Sequence, residues 1–232
     1  MPEKRIGLKS EYVRVNCYAG WVSKTMPDGF SYGGNQGWFD SRSDGSISPL
    51  GCGLISCADI LLYKSGRTKL DKAEYLEFAR SIGRGSLKVR KKLGINGISM
   101  AFGIRRRLRL AGAPFKARWC FSKKKILPRI TDMLHRDIPV TIAAGPHLLF
   151  RRGKKTGVAL YIRDKQGGFS LPDFRSGLVR DHYMTVTAVI ETDEKTYLEV
   201  SSWGERYYID WADYLSYIKT PGTFFSNIMY IR

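Results

Sequence analysis

The sequence predicts an α+β fold, with helices in the first half of the chain and an antiparallel sheet in the second. Three observations lead there. Apolar residues between 51 and 135 recur at the 3.6-residue spacing of helices with one buried face. Between 136 and 232 they gather instead in short β-branched and aromatic runs separated by turn residues. The chain has 232 residues, 43% hydrophobic and 12% aromatic, which is enough apolar material for one well-buried domain spanning 1–232.

Residues 1–50, rich in Gly, Ser and aromatics, read as loop with short extended pieces. A helix starts at Cys52, where Leu54, Ile55, Ala58, Leu61 and Leu62 mark the buried face, and ends near Lys64-Ser65-Gly66. The spacing predicts a second helix over 71–82 and a third, strongly basic one over 97–110, stopped by Ala111-Gly112-Ala113-Pro114. Residues 115–121 alternate as a strand. Ser122 offers an N-cap for a helix through Leu134, with Pro128 either kinking that helix or marking its start. Strands are expected over 138–144, 158–162, 183–190 and 197–201, and 206–210 returns as a hairpin partner. A short helix over 211–218 follows, and residues 227–231 are placed to close the sheet.

Charge is spread unevenly. The chain carries 39 basic and 21 acidic residues, a net of +18, and the segment 84–155 holds the whole excess. It includes Arg105-Arg106-Arg107, Lys123-Lys124-Lys125 and Arg151-Arg152-Gly153-Lys154-Lys155. Such a patch attracts nucleic acid, an acidic lipid surface or an acidic peptide, and equally suits a plain solvated face. No apolar run approaches the roughly 18 residues of a membrane span, and the N-terminus lacks the apolar stretch of a secretory signal. These features predict a cytoplasmic protein. Cys17, Cys52, Cys57 and Cys120 match no zinc spacing, and the three histidines form no ligand pair, so no metal or other cofactor is expected. Gly83-Arg84-Gly85 and Gly167-Gly168 lack the ending of a phosphate loop.

The chemistry points to Cys52. It lies between Gly51 and Gly53 at a helix start, where unpaired N–H groups and the positive end of the dipole favour a thiolate. Cys57 lies mid-helix beside the apolar stripe and reads as an inert buried thiol, while Asp59 reads as solvent-facing. A nucleophilic thiol needs a base, a group that orients the base, and donors for the oxyanion. Of the three histidines, His135 suits a helix C-terminus and His147 follows the Gly145-Pro146 turn. His182 opens the most strand-like segment of the chain.

Cys52 at a helix start, His182 opening a strand, and Ser201-Ser202-Trp203-Gly204 on the next strand together resemble the papain-like cysteine peptidases. The Gly51-Cys52-Gly53 context and the Asp137-Ile138-Pro139-Val140 segment are similar to a bacterial subgroup that includes the double-glycine leader peptidase domains. The resemblance spans about residues 30–232. It implies a papain-like fold in which the nucleophile helix packs on the C-terminal sheet, and a peptide or protein substrate. Cys52 is then the nucleophile, His182 the base, Ser201 the residue that orients the imidazole, and Gln36 an oxyanion donor beside the Cys52 N–H. Asn35 is a rival for the Gln36 role. Ser201 stands where the family carries Asn or Asp, so Glu199 or Asp181 is a second source of charge for the imidazole. Two other functions stay open: acyl transfer at the same Cys-His site, and a catalytically silent basic module that binds nucleic acid or an anionic surface.

Overall fold

A computed structural model describes residues 3–17, 23–26, 28–113, 115–145, 157–172, 178–220, 223 and 225–232. Near the N-terminus, β1 (Lys4–Gly7) and β2 (Arg14–Asn16) are the short extended pieces expected there. A one-turn 3-10 helix (Gln36–Trp38) and the short α1 (Ile47–Leu50) lead into α2 (Cys52–Lys64), which begins at the cysteine itself. Next come β3 (Lys69–Asp71) and α3 (Lys72–Ile82), whose Glu74 side chain returns to accept the Asp71 N–H at 2.9 Å. Helix α4 (Gly97–Leu110) is capped by Asn96, which accepts the Ser99 N–H at 2.9 Å.

Strand β4 (Ala117–Trp119) precedes α5 (Ile126–His135), which starts later than Ser122 because Lys125 adopts a left-handed backbone just before it. Pro128 therefore falls in the first turn, where its missing N–H costs nothing. The second half runs β5 (Val140–Ala144), β6 (Ile162–Arg163), β7 (Phe169–Ser170), β8 (His182–Glu191), β9 (Thr196–Ser202), β10 (Glu205–Asp210), α6 (Trp211–Lys219) and β11 (Met229–Ile231). Among the described residues, no helix is long and apolar enough to cross a membrane.

Strand β8 is the spine of a five-stranded antiparallel sheet in the order β1-β8-β9-β10, with β5 also on β8. Its first half pairs with β5 and its second half with β1, so these two strands lie end to end along one edge. Strand β11 does not close this sheet as the sequence suggested. It pairs with β4 and touches β5 through one bridge, Ile142 to Ile228. Helix α2 lies against β8, α5 against β1, β5 and β8, and α6 against β9 and β10.

Residues Thr141 and Thr185 pair directly across β5 and β8, and both hydroxyls meet Ser56 of α2, at 2.7 and 2.8 Å. This three-hydroxyl cluster is a polar pin in an apolar interface, and it sets how far along β8 the helix sits. The start of the helix, and with it Cys52, is thereby placed at the start of the strand.

Candidate thiol–imidazole site

Cys52 is the first residue of α2 and is half-buried. The backbone N–H groups of Tyr183, Gly53 and Cys52 itself favour a charged sulfur, but burial outweighs them and the nearby Asp181 carboxyl opposes it. The thiol is therefore held above its ordinary pKa, not below it as a helix start alone suggests. The Tyr183 contact matters for a second reason, because Tyr183 follows His182 directly. Folding has brought the sulfur to the residue beside the imidazole.

His182 opens β8 opposite Ala144, and the residue is only 7% exposed. Its Nε2 lies 2.8 Å from the Ser202 hydroxyl. One face of the ring stacks on the Trp203 indole, with centroids 3.9 Å apart and planes within 5°. The sequence reading named Ser201 as the orienting residue, and the register corrects it. Thr185 pairs with Ser201, so Ser201 shares the sheet face of Tyr183 and Thr185, while Ser202 shares that of Met184 and His182. The Ser201 hydroxyl instead donates to the Tyr32 carbonyl at 2.7 Å. A shift of one residue along the strand gives the imidazole contact to its neighbour.

Of the two proposed sources of charge, Glu199 does not serve the imidazole. Glu199 accepts hydrogen bonds from Arg5 (2.8 Å), Thr187 (2.9 Å) and Tyr32 (3.0 Å), which commits it to tying β1 to β9. It is absent from the walls of the cleft that holds His182. Asp181, with a left-handed backbone, has its carboxyl pKa raised by burial.

Gln36 lines the same narrow cleft as Cys52, His182, Ser202 and Trp203. One N–H of its amide is directed at the Pro49 carbonyl at 3.3 Å. A carboxamide has two such protons, so one is left for a ligand. Its Oε1 is buried with no partner, an unmet acceptor inside the cleft. Asn35 is occupied as the cap of the Gln36 turn, accepting the Gly37 N–H at 2.8 Å.

Sequence reasoning missed Asp59. It does not face solvent. Two turns into α2, it is fully buried and accepts from Tyr75 (2.7 Å), Tyr12 (2.9 Å) and the Gly34 N–H (3.2 Å). Burial pushes its carboxyl up to about 6. This carboxylate clamps the Gly33-Gly34 loop that delivers Gln36. A Cβ at Gly34 would fall on the Tyr75 hydroxyl, and Gly33 has a left-handed φ of +74°, so both glycines are required. The available signal was a charged residue on an otherwise apolar helix face facing a Gly-Gly pair.

Cys57 is buried as expected, with its thiol pushed well up, and burial raises Cys17 to about 11. Cys120 is also buried. His135 sits exposed in the last turn of α5, and His147 lies outside the described residues. Among the described residues, no group of three or more His, Cys, Asp or Glu is arranged to hold a metal. No family model matches the chain, and no curated protein matches it.

Proposed function

We propose that this chain is a papain-like thiol hydrolase, a cysteine peptidase that cleaves a peptide or amide bond through a thioester on Cys52. The observation that carries the reading is one cleft shared by Cys52, His182, Ser202 and Gln36, with the N–H next to His182 on the sulfur. In the resting site the thiol is neutral, since burial holds its pKa up. In the reactive tautomer the Ser202 hydroxyl accepts from Nε2–H, which leaves Nδ1 as the base. As Sγ bonds to the substrate carbonyl carbon, its proton passes to Nδ1. The carbonyl oxygen becomes an oxyanion, held by the Cys52 N–H and the second Gln36 N–H. Collapse breaks the C–N bond, and His182 gives its proton to the leaving amine. Water then adds to the thioester, losing a proton to His182, and the acid and the thiol are regenerated.

The test is cleavage of a mixed-sequence peptide pool. Wild type is expected to generate new amino termini and Cys52→Ala none, while Cys57→Ala retains activity. Undiminished cleavage by Cys52→Ala would sink the proposal.

A further inference from the structure

The basic segment plays no part in the proposed chemistry, and its geometry is specific. Residues 84–125 contain 14 Lys or Arg and no acidic residue. Among the described residues, no ion pair involves any of these cations. Helix α4 runs through the middle of this segment. Its inner face, including Met100, Ile104 and Leu108, is buried, and the Met100 sulfur lies 2.9 Å from where a Cβ on Gly53 would be.

Its outer face carries Ile98, Phe102, Arg105, Arg106, Arg109 and Leu110, all exposed and all within less than half of the helix circumference. Ile98, Phe102 and Leu110 are 60%, 61% and 74% exposed. Immediately before the helix, Lys91, Lys92 and Leu93 stand exposed at the tip of a turn closed by Arg90 and Gly94.

Cations alone would suit any polyanion, but the exposed aliphatic side chains discriminate. Leucine and isoleucine find no use against phosphates and sugars, where recognition is by charge, hydrogen bonding and flat stacking. A bilayer interface satisfies both sets at once. Arginines meet anionic headgroups, while Ile98, Phe102 and Leu110 enter the acyl boundary. We propose that the outer face of α4 is a docking site for an anionic lipid bilayer. Docked in this way, the protein holds the Cys52 helix directly behind the membrane-bound helix.

The experiment is co-sedimentation of the full chain with vesicles of phosphatidylglycerol and of phosphatidylcholine, with single-stranded RNA as a competing ligand. Wild type is expected on the anionic vesicles only. Arg105→Gln/Arg106→Gln/Arg109→Gln lowers that partitioning by on the order of 100-fold, and Ile98→Ser/Phe102→Ser lowers it by about 10-fold or more. All five positions are exposed, and circular dichroism checks that the variants fold. As a readout that needs no destabilising change, Phe102→Trp should add emission that shifts to the blue on anionic vesicles. Failure of wild type to bind these vesicles overturns the proposal. So does full binding by the Ile98→Ser/Phe102→Ser variant. RNA binding that displaces the vesicles and ignores the apolar pair assigns the face to nucleic acid instead.

Discussion

At the scale of single residues, the His182 imidazole is partnered by a neutral hydroxyl where an amide or a carboxylate could stand. Ser202 can hold the His182 tautomer through Nε2, but it brings no charge to stabilise an imidazolium. Ser202→Ala is therefore expected to lower kcat/KM by about 10- to 100-fold. Ser201→Ala leaves the Tyr32 carbonyl unpaired and costs about 1 kcal/mol of stability, with a smaller kinetic effect. Steady-state kinetics and thermal melts of the two variants separate these roles. The raised Cys52 pKa makes a further prediction. Alkylation of the free protein by iodoacetamide should keep accelerating as pH rises into the alkaline range, because thiolate forms only there. A rate that levels off near neutral pH would show a thiolate–imidazolium pair in place of the neutral resting site.

At the scale of elements, two short connections hold the cleft. The β9–β10 turn has Trp203 and Gly204 both at positive φ, 52° and 77°, as a tight two-residue hairpin turn requires. Glycine adopts this at no steric cost, whereas tryptophan does so at a cost of about 1 kcal/mol. The indole's stacking on His182 is the evident reason for its presence there.

The second connection is the Gly33-Gly34 loop on Asp59. The Asp59 carboxyl titrates at about 6 in the fold, against roughly 3.9 when unfolded. The folded protein therefore binds the proton more tightly. The contribution of this group favours folding below about pH 4 and declines as pH rises to about 6, by on the order of 3 kcal/mol. Asp44, lowered by its ion pair with Arg80, and Asp132, lowered by the Tyr230 hydroxyl and then by Arg136, act in the opposite direction, so the comparison must be made with a variant. Asp59→Asn should remove the decline when urea midpoints are compared across this interval. A wild-type-like decline in Asp59→Asn would assign it to other groups. Gly34→Ala, by pushing the loop off Tyr75, should reduce activity more than it reduces stability.

At the scale of the whole molecule, the site exists because the helical part and the sheet are locked in one register. Ser56 of α2 meets Thr141 and Thr185 on adjacent strands, in an interface otherwise made of apolar side chains. Ser56→Ala breaks both contacts and leaves two buried hydroxyls to re-pair. The expected loss is about 2 kcal/mol, or about 4–8 °C in Tm, measured by calorimetry. On the far edge, Arg5 and Glu199 join the N-terminal strand to β9 across β8, so the first residues of the chain belong to the central sheet. The charge separates on the same scale. The acid-free stretch 84–125 includes α4, and none of its cations takes part in the ion pairs of the described residues.

Local sequence was enough to read the helices beginning at Cys52, Lys72 and Gly97 and the strands β8, β9 and β10, because helical spacing marks the first group and β-branched and aromatic runs between turns mark the second. The candidate pair Cys52 and His182 was legible for the same reason: both sit at element starts, which the sequence marks. Three things were decided only by tertiary structure. Strand register gave the histidine to Ser202 in place of Ser201, since period-two alternation is set by the partner strand. Burial made Asp59 an internal clamp, because its partners Tyr12, Gly34 and Tyr75 come from distant parts of the chain. The Cys52 pKa followed its desolvation and not its helix position, and desolvation depends on everything packed around the sulfur.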